Sequence, residues 1–239
     1  MVRVICSPKV ELVILQDDYD LCRRVISDLP DRGYAFVSDL ASVTEFLTAT
    51  FYVECSRVAS HQLVRHRLCS FVQRSQRYED QEPILLLPRS VIEKVDLNLL
   101  VRIYEEYVRL RDVLKVPREY ARYILSQCML TRLLVRTNLR ELAYIINIRA
   151  CSRAQAETRY IAIRMMMLLY EHDLFKRYPE LRNVFAPFCA RYGYCKYRPQ
   201  KRDVEKLRKC RERGYIEAFR EHGTSEELEK MEEIVKLLP

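Results

Sequence analysis

The apolar pattern of this chain changes period once, and that change limits what the chain can build. Up to residue 88 the apolar residues fall in short, β-branched runs. These are residues 2–6, residues 10–15, the alternating Phe51-Tyr-Val-Glu-Cys55, and the run enclosed by Pro83 and Pro88. Runs of that length and composition read as strands. From residue 96 the spacing turns helical. Leu99, Leu100, Ile103, Tyr107, Leu110 and Leu114 lie on one side of a helix over 96–115. Pro117 suits a first helical turn and opens a segment reaching about Arg132. Residues 138–171 read as one long helix, whose block Met165 to Leu169 marks a core or a subunit interface.

Shorter helical readings complete the pattern. Residues 18–29 end before Pro30, residues 38–46 form a short helix or turn, and Ser56 caps a helix running to Arg67. Residues 68–81 read as loop, and so do residues 185–195. Thr224 and Glu227 have the spacing of a capping box ahead of a last helix ending at Leu238.

Composition narrows the chemistry. Only four glycines occur among 239 residues, and no Gly-rich phosphate loop is present, so a nucleotide must be held by side chains and helix ends. The net charge of +8 favours anionic partners, either nucleic acid or small phosphorylated molecules. Nine cysteines stand singly, with no CxxC pair, which fits buried thiols in a reducing compartment. Cys189, Cys195 and Cys210 have poor spacing for zinc and no accompanying histidine, so no metal is expected there. No signal peptide is evident and no apolar run approaches the ~18 residues of a membrane span, so the expected location is cytoplasmic, with no membrane partner.

Positive charge concentrates in residues 62–78, Q-L-V-R-H-R-L-C-S-F-V-Q-R-S-Q-R-Y, with four arginines among three glutamines and two serines. On a helix Gln62, Arg65 and His66 fall at i, i+3 and i+4 and share a face. Guanidiniums held against apolar neighbours suit phosphate or carboxylate. The carboxylates nearest in sequence are Glu79 and Asp80, so the segment reads as an anion site filled by a ligand.

Arg65-His66-Arg67, then seven residues, then Ser75-Gln76-Arg77-Tyr78, led in by His61-Gln62, resembles the R-H-R-x7-S signature of the flavin-dependent thymidylate synthases, the ThyX family. Asn147-Ile-Arg149 with Arg153-Ala-Gln-Ala-Glu-Thr-Arg159 resembles that family's distal N-x-R-x4-A-Q-x-E-x-R segment, and Arg132 stands in a similar Leu-Thr-Arg context.

The resemblance implies an α+β fold, a small mostly antiparallel sheet packed by long helices. It implies a catalytic domain of that family over 1–199 and a homotetramer with shared active sites; the heavily charged residues 200–239 read, by their own composition, as a peripheral helical extension. The implied reaction is reductive methylation of dUMP to dTMP, with methylenetetrahydrofolate, FAD and NADPH. By family position Gln62, Arg65, Gln73, Ser75, Gln76, Arg77, Arg132 and Arg159 would line the dUMP site, with Arg159 catalytic beside the uracil ring. Ser42, Arg65, His66, Arg67, Gln73, Asn147, Arg149 and Arg153 would hold FAD. If helical, Arg149 and Arg153 form a like-charge i, i+4 pair that an anion would relieve.

One segment departs from the family. Its H-x-[ST]-x-x-E-H motif keeps Ser42 and Glu45 here, but Leu40 and Phe46 replace both histidines. Two other readings therefore stand beside the enzyme. One is a diverged homologue that binds nucleotide or flavin without making thymidylate. The other is an arginine-rich helical protein that binds nucleic acid, which would not explain why Gln, Ser and Asn recur at the family's spacings, so no nucleic-acid partner is expected.

Overall fold

The computed structural model describes residues 2–16, 18, 22, 41–177 and 179–239. Strands β1 (Arg3–Ile5) and β2 (Lys9–Gln16) come first, then α1 (Ala41–Phe46), β3 (Thr48–Ser56) and α2 (Arg57–Leu63). Next are β4 (Ser70–Gln73), β5 (Ile84–Leu86), α3 (Arg89–Ile92), α4 (Leu97–Val108) and α5 (Arg118–Ala121). Strand β6 (Leu130–Asn138) leads into α6 (Leu139–Arg149) and α7 (Ala156–Glu171). The rest is helical: α8 (Asp173–Arg177), α9 (Phe188–Tyr192), α10 (Val204–His222), α11 (Ser225–Glu229) and α12 (Met231–Leu237).

The fold is α+β. An antiparallel sheet runs in the order β2-β3-β6-β4, and β1 pairs in parallel with β5. Alternation sets its faces. Ala49, Phe51, Val53 and Cys55 of β3, with Leu133 and Val135 of β6, are buried against Tyr160, Ile161 and Ile163 of α7. The opposite face of the sheet is largely uncovered, with Tyr52, Leu134 and Val72 side by side in register across three strands. Val72 and Leu134 are exposed there. A second, smaller core gathers Leu85, Leu87, Tyr107, Ala121, Leu125 and Met129 under α4.

Several elements differ from their sequence expectation. The segment from Pro117 to Arg132 is a short helix, a 3-10 turn and the start of β6. Leu130–Asn138 alternates period two, and its nine-residue pairing with β3 decides the matter. The expected loop over 68–81 contains β4, and that over 185–195 contains α9. The expected helix over 138–171 is broken at 150–155. There the Arg159 guanidinium takes up the carbonyls of Cys151, Ser152 and Ala154, which a continuous helix would have kept. The last helix breaks at Lys230, although the Thr224–Glu227 capping box is present.

Residues 200–239 are no peripheral appendage. Tyr215, Ala218, Phe219 and Val235 are buried in the main core, because α10 lies along α7. The expected helix over 18–29 and Leu40 lie outside the described residues, apart from Asp18 and Cys22. Among the described residues no helix is long and apolar enough to cross a membrane.

Candidate active site

Strand β3 delivers the arginine cluster through a fixed joint. Ser56 ends the strand in extended backbone and caps α2, its Oγ accepting from the Ala59 N–H at 3.1 Å. Ser56 is itself held from across the fold. Its N–H donates to Glu157 Oε1 at 2.7 Å and its Oγ–H donates to Oε2 at 2.6 Å. Burial pushes the Glu157 carboxyl above its usual range. Glu157 thus ties the start of α7 to the start of α2.

Helix α2 stops at Leu63, short of the expected Arg67. The next residues form a turn, with the His66 N–H on the Leu63 carbonyl and the Cys69 N–H on the His66 carbonyl, both at 3.1 Å. Gln62 therefore stays on the last turn of α2, while Arg65 and His66 leave the helix and are aimed by the turn. His66 points inward and is only 5% exposed. Arg149 Nε donates to its Nε2 at 3.1 Å, and its Nδ1 lies 3.2 Å from Glu141 Oε1. Arginine can only donate, so Nε2 is the acceptor and Nδ1–H points at Glu141. Burial, with the adjoining Arg149 charge, lowers His66 to about 4, so the ring is neutral at physiological pH. Burial alone raises Glu141.

Arg149 also donates to the Gln62 carbonyl at 3.1 Å, which locks the end of α6 onto the end of α2. The Gln62 amide contacts Gln155 as well. What this frame leaves outside is Arg65 and Arg67. Both are exposed, and neither has a carboxylate partner among the described residues.

The second half of the cluster is not short of carboxylates. Arg132 on β6 donates to Glu54 Oε1 at 2.9 Å across the β3–β6 pair and to Glu82 Oε2 at 2.9 Å. Arg74 donates to Glu82 Oε1 at 2.6 Å and to Glu79 Oε2 at 3.0 Å. Arg77 pairs with Glu119 at 2.9 Å. Counting the nearest carboxylates in sequence missed Glu54, Glu82 and Glu119, which folding brings in from other elements. Hydrogen bonds from Arg132, seconded by Arg74, hold Glu82 down to about 2. Gln73 Nε2 donates to Ser60 Oγ at 3.0 Å and to Thr131 Oγ1 at 3.3 Å, so its amide is a strut between α2, β4 and β6. Ser75 Oγ accepts from the Arg77 N–H at 3.1 Å and shapes the turn carrying half-buried Gln76.

The distal residues go elsewhere. Asn147 Nδ2 donates to the carbonyls of Val184 at 3.1 Å and Ala186 at 2.5 Å. Helix α6 ends at Arg149, so Arg149 and Arg153 are not an i, i+4 pair, and nothing in their spacing calls for an anion between them. Arg153 instead sits over the Tyr197 ring, 4.6 Å from its centroid. Arg159 is 2% exposed. Its donors meet the carbonyls of Cys151 at 3.1 Å, Ser152 at 2.8 Å and Gly214 at 2.7 Å, with Glu217 Oε2 at 2.8 Å. Ser42 belongs to α1, but its side chain is outside the described residues, and Phe46 at the end of that helix is 69% exposed.

Glu141 and Glu157 are positioning residues that the sequence reading passed over. Glu157 stood inside the distal motif, and Glu141 follows the helix-capping Asn138 by three residues. Neither signal names the partner.

The sequence profile of a family described as "Thymidylate synthase complementing protein" (Thy1) matches residues 23–173. The chain belongs to this family. Among similar proteins is the flavin-dependent thymidylate synthase of Thermococcus kodakarensis, 39% identical over 172 residues, which are 64% of this chain and 66% of that protein. The Pyrococcus furiosus flavin-dependent thymidylate synthase is 36% identical over 170 residues, covering 64% and 67%. The Saccharolobus solfataricus one is 40% identical over 157 residues, covering 62% and 57%. The chain thus spans about two thirds or less of the length of these Thy1-family relatives. Among solved structures, the UMP/dUMP methylase PolB from Streptomyces cacaoi, bound with 5-Br UMP, shares the fold. Its TM-score is 0.65 at 22% identity, over 77% of this chain and 96% of that one.

Proposed function

We propose that this Thy1-family protein is a flavin-dependent thymidylate synthase that methylates dUMP to dTMP, with methylenetetrahydrofolate as carbon donor and NADPH as reductant. The observation that carries the reading is the turn after α2. Its buried His66 is pinned between Arg149 and Glu141, so that Arg65 and Arg67 are presented outward and without a counter-charge among the described residues. A dinucleotide bearing a diphosphate suits two such guanidiniums, and FAD fits the donors present. When bound, FAD would carry to the uracil the electrons that turn the transferred methylene into a methyl group.

The chain's own part is binding and orientation. Arg77 and Arg132, with the Ser75 hydroxyl, would receive the dUMP phosphate in exchange for their Glu119 and Glu82 partners. Because those carboxylates already order the guanidiniums, little side-chain entropy remains to be lost on binding. Gln62, Arg65, Gln73 and Gln76 would complete the nucleotide site, and His66, Arg67, Asn147, Arg149, Arg153 and Ser42 the flavin side. A homotetramer would cover the apolar row Tyr52–Leu134–Val72 on the open sheet face and enclose the exposed turn. A cytoplasmic location suits nine cysteines among which no CxxC pair occurs.

The test is dTMP formation from dUMP, methylenetetrahydrofolate, FAD and NADPH by the purified protein. Leu40 and Phe46 favour a second reading, a homologue that binds flavin and nucleotide only. Flavin bound and reduced with no dTMP formed would decide for it. Arg159 reaches a uracil ring only if its bonds to the 151–154 turn open. If its catalytic assignment holds, Arg159→Ala keeps FAD and loses most turnover; near-normal turnover sinks it.

A further inference from the structure

The arginines around Arg77 are paired, with two exceptions. Arg74 meets Glu82, Arg77 meets Glu119, and Arg111 and Arg118 both meet Asp80. Arg57 and Arg122 have no carboxylate partner among the described residues, although both are half-buried. The fold sets them side by side. The Arg57 N–H donates to the Met129 carbonyl at 3.1 Å and the Val58 N–H to that of Gln127 at 3.3 Å, so the start of α2 lies against the turn that follows Arg122. Burial, and then the Arg122 charge, lowers Arg57 from the usual guanidinium range. Half-buried like charges repel, and an anion beside them removes the cost.

Arg122 and Arg77 meet on one residue. Arg77 Nε lies 2.9 Å from Glu119 Oε2, while Arg122 Nε donates to the Glu119 backbone carbonyl at 3.2 Å. That bond holds the Arg122 guanidinium by its Nε and leaves both terminal nitrogens as unused donors. Both arginines line one cleft of about 240 Å³, together with Glu119, Tyr120 and Tyr123. The Glu119 carboxylate is the anion in that cleft, and its pair with Arg77 is open to solvent, which makes it weak. A phosphate dianion that takes Arg77 from Glu119 therefore arrives beside a second guanidinium with donors to spare. Only a carboxylate has to move, because the bond to Arg122 comes from the Glu119 backbone.

Resting on the dUMP reading above, we propose that Arg122 is a further guanidinium for the dUMP phosphate, beside Arg77 and Arg132. Arg57 is its positioning residue, whose like charge drives the Arg122 guanidinium toward the cleft. The Glu119 carboxylate is a placeholder that keeps Arg77 ordered until the phosphate displaces it. Arg122 thus strengthens substrate binding, whereas the Glu119 side chain competes with it.

Calorimetric titration of the purified protein with dUMP, in the presence of saturating FAD, is the test. Arg122→Gln should weaken dUMP binding about tenfold, the loss of one charge-assisted contact, and should leave the affinity for FAD as it is. Arg122→Lys keeps the charge without the fork and should lose less. Arg57→Gln should weaken dUMP in the same direction, and serves as a second variant should Arg122→Gln fail to fold. Glu119→Gln should go the other way and tighten dUMP binding about threefold, the worth of an exposed ion pair. Two residues that merely shaped the turn would both weaken it. The proposal is overturned if Arg122→Gln binds dUMP as the wild type does, if it loses FAD as much as dUMP, or if Glu119→Gln weakens dUMP binding. A wild-type protein that takes up FAD but no dUMP overturns the dUMP reading itself, and this role of Arg122 with it.

Discussion

Glu157→Ala tests how the arginine turn is held. The wild-type carboxylate is 2% exposed and accepts both polar hydrogens of Ser56, at 2.7 and 2.6 Å. Truncation leaves the Ser56 N–H, in a residue 1% exposed, with no acceptor, at a cost of about 1–3 kcal/mol. Losing a buried methylene adds ~0.8 kcal/mol. Removing a carboxylate that burial already disfavours returns part of this, so the net loss should be about 2–3 kcal/mol. For a chain this long that lowers Tm by roughly 4–12 °C. Glu157→Gln keeps one acceptor and the side-chain volume, so it should lose about 1 kcal/mol. Thermal unfolding followed by circular dichroism measures both. Flavin binding should weaken with Tm, because the cap of α2 sets where Arg65 and Arg67 emerge. An alanine variant melting within about 2 °C of wild type, with normal flavin affinity, would refute the reasoning. The Ser56–Ala59 cap alone would then suffice.

Two further outcomes follow from the same frame. His66 should titrate near pH 4 with its proton on Nδ1, as read by imidazole nitrogen NMR. Its folded value lies below the ordinary ~6.5, so stability is full above that pH and falls by up to about 3 kcal/mol as the pH drops toward 4; a midpoint above 6 contradicts the Arg149–His66–Glu141 arrangement. Gly214→Ala places a methyl 2.8 Å from Ser152 Cβ and 2.9 Å from its Cα, against the turn that Arg159 fastens. Overpacking should outweigh the ~1 kcal/mol gain in helix propensity and lower Tm by a few degrees; a Tm at or above wild type would show that the turn yields freely.

What the sequence determined by itself was local. Alternation in Phe51 to Cys55, the serine that ends it and the Thr224–Glu227 pair are short-range signals, and each stands in the structure where it was expected. The motif residues were legible as a set because their types and spacing match a family.

Tertiary structure decided which of them are free. Helical spacing carried α2 on to Arg67, but the chain turns at Val64 because His66 has a buried place between Arg149 and Glu141. Residues 150–155 contain no proline or glycine, and the break there exists because Arg159 caps the carbonyls it frees. Residues 130–138 became a strand only by pairing with β3, and that pairing sets Arg132 opposite Glu54. Arg74, Arg77 and Arg132 looked like donors awaiting a ligand until folding brought Glu82, Glu54 and Glu119 to them. Arg65 and Arg67 did not change in that way. Ionic partners are fixed by distance in space, while the sequence records only distance along the chain. It could therefore show that residues 62–78 gather arginines, and only the fold could show which two of those four face outward with no carboxylate partner among the described residues.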